Sequence, residues 1–235
     1  MLTMETRRID LVIWEINCNF VAVNIKINFY KDMKQIITAI TLALAMTANV
    51  QAQDNTWEQT TPSEKAAIDA KYWVGAVPEK DGRVVFETTI EVPGKSRAQL
   101  FDEMQKLMTA MTKEPGQLEN SNISTTEPEN GLVVGAYQEW LVFKNKPLIL
   151  DRTRLYYNLV AECNDGEVHL SMNRICYIYD EERTPLTYKA EEWITDRYGL
   201  NKKQNKLARV SGKFRKKTID RKDYLFSTIA KQLKK

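Results

Sequence analysis

The sequence predicts an α+β domain, in which a single antiparallel sheet carries its helices on one face. Three observations predict it. Phe86, Thr88, Ile90 and Val92 alternate with Val85, Glu87, Thr89 and Glu91, the period of a half-buried strand. Two other segments space their apolar residues for one helix face: Leu100, Met104, Leu107, Met108 and Met111, and later Ile219, Phe226, Ile229 and Leu233. Between them, strand-like runs flank Asp165-Gly166, a two-residue turn whose central positions tolerate positive φ.

Residues 1–52 stand outside this domain. Met33-Lys34 supplies a start and a positive charge, Ile36 to Ala48 is uncharged and mostly apolar, and Val50-Gln51-Ala52 places small residues before a cut at Gln53. That is the layout of a secretory signal peptide, with an apolar run too short to span a bilayer comfortably. Residues 1–32 have no globular logic and are expected to be a mis-called upstream extension. The alternative is a long or retained leader. Export to the periplasm or beyond, with cleavage near Ala52-Gln53, is the expected address. It leaves Cys163 and Cys176 in the mature chain, since Cys18 lies in the leader.

Residues 53–70 form a polar segment in which Thr61-Pro62-Ser63-Glu64 reads as a capping box opening a short helix towards Tyr72. The main domain is expected over 71–235. Lys80-Asp81-Gly82 is a turn, and the strand from Arg83 to Val92 is stopped by Pro93-Gly94. Ser96 and Gln99 make a second capping box, starting the Met-rich helix that Glu114-Pro115-Gly116 ends. Methionines at that spacing read as core filling. Four strands are then predicted at 121–126, 132–143, 152–163 and 167–179, separated by turn clusters at 127–131, 145–147 and 165–166. A short helix over 190–198, a basic stretch, and a C-terminal helix from an N-cap at Thr218 to about Leu233 complete the chain. The order is strand, helix, four strands, helix. Packing both helices on one face leaves the other open to solvent or a partner.

The Asp165-Gly166 turn sets a register. It pairs Asn164 with Glu167, Cys163 with Val168, Ala161 with Leu170 and Leu159 with Met172, all consistent with one apolar face. Extended unchanged, it puts Cys176 opposite Leu155, roughly 26 Å along the strand from Cys163 at ~3.3 Å per residue. A disulfide is excluded and both thiols are expected to be buried. The opposite face is then expected to carry Glu162 by His169, Asn158 by Asn173, Arg154 by Tyr177 and Arg152 by Tyr179.

The composition narrows the chemistry. A chain of 235 residues with 43% hydrophobic and 28% charged residues is globular. Three Cys and one His leave no room for a zinc finger, an iron–sulfur cluster or a disulfide scaffold. No Gly-rich phosphate loop, His-Glu-x-x-His or Cys-x-x-Cys is present, so no cofactor is expected. His169 beside Glu162 reads as a solvated cross-strand pair, because no nucleophile motif accompanies it. Arg152, Arg154, Tyr177 and Tyr179 are the candidate ligand-binding set, a flat cationic surface suited to anionic or sugar-like ligands.

Charge is segregated. Gln53 to Tyr188 holds 14 basic and 22 acidic residues, whereas Lys189 to Lys235 holds 15 basic and 5 acidic. Lys202, Lys203, Lys206, Arg209, Lys213, Arg215, Lys216, Lys217, Arg221 and Lys222 form its centre. Lys213, Arg215, Lys216 and Lys217 are the candidate polyanion-binding residues.

Several segments together, Tyr72 to Pro78 (YWVGAVP), Asp81 to Phe86 (DGRVVF), Ile90 to Gly94 (IEVPG), Asp151 to Arg154 (DRTR), Ala190 to Ile194 (AEEWI) and Lys213 to Asp220 (KFRKKTID), are similar to a family of exported Bacteroidetes proteins. That family is a domain of unknown function with a TATA-binding-protein-like fold. The resemblance runs from about Lys71 to Lys235. It implies the topology reached above, an envelope or secreted location, and no established activity. The DNA-binding namesake of the fold uses tandem repeats and apolar wedges to kink the minor groove. This chain has one repeat, and its expected open face shows Glu87, Glu91, Asn158, Glu162 and Asn173, so nucleic acid is not an expected partner. The function expected is a non-catalytic binding module for an envelope protein or an anionic envelope polymer. The alternatives are an envelope hydrolase using paired carboxylates, and a polyanion or nucleic-acid binder through 202–222.

Overall fold

The computed structural model describes Asn55, Trp57, Glu58, residues 70–181 and residues 183–235. The expected signal peptide at 33–52 and most of the helix expected from Thr61 towards Tyr72 lie outside the described residues, which begin again with a 3-10 turn at Ala70–Tyr72.

A small hairpin, β1 (Glu79–Lys80) and β2 (Arg83–Val84), turns at Asp81-Gly82, where both residues take positive φ. β3 (Phe86–Glu91) follows, burying Phe86 and Ile90. The helix α1 (Arg97–Met111) starts at the expected capping box: Ser96 accepts from the Gln99 amide, and the Gln99 side chain accepts from the Ser96 amide at 2.9 Å. Its buried face is Leu100, Phe101, Met104, Met108 and Met111, with Leu107 at the border. β4 (Asn122–Glu127), β5 (Leu132–Lys146), β6 (Ile149–Asn164) and β7 (Glu167–Tyr179) form the antiparallel meander. The β5–β6 hairpin is longer than the sequence suggests. It turns on Pro147 and Leu148 rather than over 145–147.

β8 (Leu186–Lys189), which has no sequence-level prediction, pairs with the end of β7. The strand order is β3-β7-β6-β5-β4, with β3 along 167–172 and β8 along 176–179 of the same β7 edge. The helix expected over 190–198 is a 3-10 turn at Ala190–Glu192 followed by the single turn of α2 (Asp196–Gly199).

α3 (Ser211–Leu233) corrects the expected C-terminal helix. It begins seven residues before Thr218, which is a buried mid-helix residue and not a cap. Lys213, Lys216 and Lys217 are good helix formers, and Phe214 and Arg215 give this first part a buried face of its own. Tertiary packing therefore extends the helix through what reads as a basic linker.

The register of the β6–β7 hairpin holds from Asn164–Glu167 to Asn158–Asn173 and then slips by one. Arg174 and Ile175 stand opposite Tyr157 alone, and Arg174 takes φ +52°. The cause is burial. Val168, Leu170 and Met172 face the helices, and strict alternation would turn Ile175 and Tyr177 away from them. The bulge brings both into the core, 1% and 0% exposed. Burying two such side chains is worth ~1.5–3 kcal/mol each, against ~1–3 kcal/mol for one strained backbone residue. Cys176 consequently faces Tyr156, half-buried, and not Leu155; Cys163 is buried, and both thiols are free.

Inside the sheet–helix layer, the Tyr137 and Tyr157 rings stack at 5.3 Å and the Tyr137 hydroxyl donates to the Met108 carbonyl at 2.9 Å. Gly135 makes room for this, since a Cβ there would come within 2.5 Å of the Tyr137 ring. Arg221 of α3 donates to Glu139 of β5 at 2.7 Å, both almost fully buried. Phe214 contacts the rings of Phe143, Tyr177, Tyr179, Tyr188 and Trp193.

Candidate functional site

The sheet face away from α1 and α3 has two chemically different ends. At the β3 side, strand pairing brings Glu87, Glu91, Glu162 and Glu167 around His169. His169 Nε2 lies 3.9 Å from Glu87 and Nδ1 lies 3.4 Å from the Thr89 hydroxyl. This end is open and acidic.

At the far end, β5 places Trp140 directly opposite Arg154, and Val142 opposite Arg152. The Arg152 guanidinium sits 3.8 Å from the Trp140 ring centroid and that of Arg154 sits 5.2 Å away. Glu181, just beyond β7, accepts two bonds from Arg154, at 2.7 Å from Nη2 and 3.1 Å from Nε, a fork that fixes the guanidinium plane. Leu150, Asp151, Ile178, Tyr179, Asp180, Glu181 and Arg183 join Trp140 and Arg152 around a shallow groove of about 130 Å³, in which Asp151 is paired with Lys213 and Glu181 with Arg154. A guanidinium stacked on an aromatic face keeps the N–H donors at its edge pointing away from the ring, where a carboxylate, a phosphate or sugar hydroxyls can meet them.

The sequence-derived ligand set is divided by the bulge. Arg152 and Arg154 lie on the open face as expected. Arg154, however, pairs with Ile178, and Tyr179 pairs with Thr153. Tyr177 is in the core, its hydroxyl 2.7 Å from that of Thr218. Tyr179 turns to the helix side, where its hydroxyl donates to Asp151 at 2.9 Å. The aromatic partner of the arginines is Trp140, which the sequence-level register missed because β5 had no anchored turn. Placing the turn at Pro147-Leu148 and pairing β5 on β6 would have found it.

The polyanion set is not one surface either. Arg215, with no exposed surface, donates to the carbonyls of Tyr72 (2.9 Å), Ile194 (2.8 Å) and Trp73 (2.5 Å) and to Asp196 (2.7 Å). It fastens three chain segments together. Lys213 is held by Asp151 at 2.6 and 2.9 Å and lies over the Phe143 and Tyr179 rings. Lys217 pairs with Glu58. Of the four, Lys216 alone is exposed, its ammonium 5.5 Å from the Tyr72 ring centroid. Helical packing hid these partners from a linear reading of charge.

A second, wider cleft of about 410 Å³ opens where the bulge separates β3 from β8. Arg83, Arg174 and Lys189 face Glu191 and Glu192 there, beside Cys176. Burial and Glu191 raise the Cys176 thiol above its ordinary value, the opposite of nucleophile activation. Among the described residues, no cluster of three or more His, Cys, Asp and Glu side chains is placed to hold a metal, and no helix is long and apolar enough to cross a membrane.

Comparison with known proteins supplies the frame for this geometry. The family described as a domain of unknown function (DUF4468) with TBP-like fold matches residues 86–178. A DUF4468 family protein from Bacteroides ovatus, known from its crystal structure, is 40% identical, with a TM-score of 0.67 over 72% of this chain and 96% of its own. A TBP-like protein from Parabacteroides distasonis is 19% identical, with a TM-score of 0.55 over 67% of this chain and 96% of its own, and shares the fold. No protein with a curated description matches. With most of the domain aligned at that identity, the chain belongs to the DUF4468 family and has its TBP-like fold.

Proposed function

We propose that this protein is an exported, non-catalytic binding module that holds an acidic glycan of the cell envelope in the groove at Trp140, Arg152 and Arg183. The observation carrying this reading is the Arg152 guanidinium 3.8 Å from the Trp140 ring centroid in an open groove, with Arg154 beside it, 5.2 Å from the same centroid and holding Glu181. Stacked arginines are pre-organised, so little side-chain entropy is lost when they meet an anion. Leu150 and Ile178 offer apolar contact for a sugar ring, and Arg183 adds a further cation at the rim. Export is supported by the signal-peptide layout at 33–52.

Calorimetric titration with an oligogalacturonate, against a neutral malto-oligosaccharide, tests the reading. Saturable binding of the acidic oligomer alone is expected. It should weaken at least tenfold in Arg152→Glu and in Trp140→Ala, and fall with added salt. Equal binding of both oligomers, or unchanged affinity in both variants, would overturn the site.

A further inference from the structure

We infer that the tip of the β5–β6 hairpin is a docking point for a lipid bilayer with anionic headgroups. β5 and β6 stay paired out to Lys146–Ile149, whereas β7 leaves β6 at Thr153–Tyr179 and β4 leaves β5 at Ala136. Residues 144–151 therefore extend past the end of β7 as a two-stranded ribbon. Its turn is Pro147-Leu148, and Leu148 takes φ +65°, a conformation that normally selects Gly or Asn. Leu148 is fully exposed at 106%, and Ile149 and Leu150 are about half exposed at 48% and 49%. Three consecutive apolar residues at the end of a ribbon, the first in a strained turn position, contribute little to the core.

The surroundings specify the occupant. Lys144 and Lys146, both exposed, stand on the strand facing the apolar residues. The one acidic residue of the ribbon, Asp151, is neutralised by Lys213 at 2.6 Å. An apolar point with a cationic collar complements a surface that is negative outside and hydrocarbon beneath. Three side chains also fall far short of the roughly 1,200 Å² that a specific protein–protein interface buries, so a second copy of the chain is a poor occupant. A bilayer accepts such a point because it closes around it.

The test places an environment-sensitive NBD fluorophore on Leu148→Cys, in the full-length chain with Cys18, Cys163 and Cys176 replaced by Ser or Ala. This local readout is insensitive to binding through the apolar residues 36–48. A blue shift and intensity gain are expected with phosphatidylcholine vesicles containing phosphatidylglycerol, and not with phosphatidylcholine alone. Lys144→Glu with Lys146→Glu should abolish the gain. As a second measurement, with the fluorophore moved to Ile149→Cys, Leu148→Asp should raise the lipid concentration for half-maximal gain about tenfold, the loss expected for one inserted leucine. An unchanged spectrum with anionic vesicles overturns the inference. So does an equal shift with neutral vesicles, or a shift that follows protein concentration without lipid, which would make a second copy the occupant.

Discussion

The hydroxyls of Tyr177 and Thr218 lie 2.7 Å apart between β7 and α3, both fully buried. Each can donate or accept, so this contact satisfies both groups where no water reaches. Burial pushes the Tyr177 phenol well above its ordinary value, and the hydrogen bond from Thr218 only partly offsets this, so the pair is neutral. The contact ties the part of β7 that the bulge turns inward to the third turn of a helix whose first two turns look like a linker in sequence.

Thr218→Val keeps the volume and orphans the Tyr177 hydroxyl, which should cost about 1–3 kcal/mol. Tyr177→Phe should cost about 1 kcal/mol, because Thr218 can turn to a helix carbonyl. The double variant should cost less than the sum of the two in urea unfolding. Strict additivity would show that the hydroxyls do not act as a pair.

The bulge makes a separate prediction. Deleting Arg174 removes the extra residue together with the bulge, so plain alternation then keeps Met172, Ile175 and Tyr177 on the core face and the deletion should be tolerated to within about 1 kcal/mol. Arg174→Gly keeps the extra residue and removes the side-chain strain at φ +52°, so it should stay within about 1 kcal/mol of the native chain. A loss of several kcal/mol in urea unfolding of the deletion variant would refute the role assigned to the bulge.

The same residue marks where the sequence stops being legible. From Asp165-Gly166 outwards, the turn type and an apolar alternation agree, and the pairing is readable as far as Asn158–Asn173. Beyond it the pairing depends on which face can bury Ile175 and Tyr177, a three-dimensional fact that a two-residue period does not encode. Arg152 and Arg154 were legible as open-face residues because β6 keeps its alternation. Trp140 was not, since Pro147-Leu148 carries Leu where a turn signal would show Gly or Asn. The acidic partners of the basic segment, Asp151, Asp196 and Glu58, are distant in sequence from Lys213, Arg215 and Lys217. Such partners are invisible to any local count of charge.

Glu139 and Arg221 form a buried ion pair, 3% and 2% exposed. Burial opposes the guanidinium charge, but the neighbouring Tyr157 and Glu139 hold its pKa above the ordinary value. Truncating one partner strands the other, so Glu139→Leu or Arg221→Met alone should cost about 3–5 kcal/mol. The double variant should recover a large part of that loss. Chemical denaturation of the three variants measures it, and a double variant no better than the worse single one would contradict the pairing.

The thiols should behave as core residues. Burial pushes Cys163 up to about 11 from 9.0, which lowers its thiolate fraction at pH 8 by roughly a hundredfold. Iodoacetamide pulses followed by peptide mass mapping should leave Cys163 unmodified until urea is added, with Cys176 labelled slowly. The register separates the two by seven residues along β6, about 23 Å at ~3.3 Å per residue, so oxidants should produce no intrachain bridge. A mass loss of two hydrogens in the folded monomer would contradict this separation.

Asn55, Trp57 and Glu58 dock against β5 and α3. The Asn55 amide exchanges two bonds with the Val142 backbone, at 2.8 and 2.9 Å, and thereby caps the β5 edge beyond the end of β4. The Trp57 ring lies 6.2 Å from that of Tyr224. Burial raises the Glu58 carboxyl, but hydrogen bonds from Lys217 and Asn55 outweigh it and hold the group below its ordinary value. A carboxylate depressed on folding contributes its full stability above its unfolded pKa. It loses that contribution as pH falls through the lowered folded value. The native chain should therefore melt above Glu58→Gln at neutral pH, and the gap should close on acidification below the ordinary carboxylate range. Lys217→Met should show the same closing gap, because it removes the other half of the pair. A difference in melting temperature that stays constant from neutral to strongly acidic pH would show that Glu58 acts through packing and not through its charge.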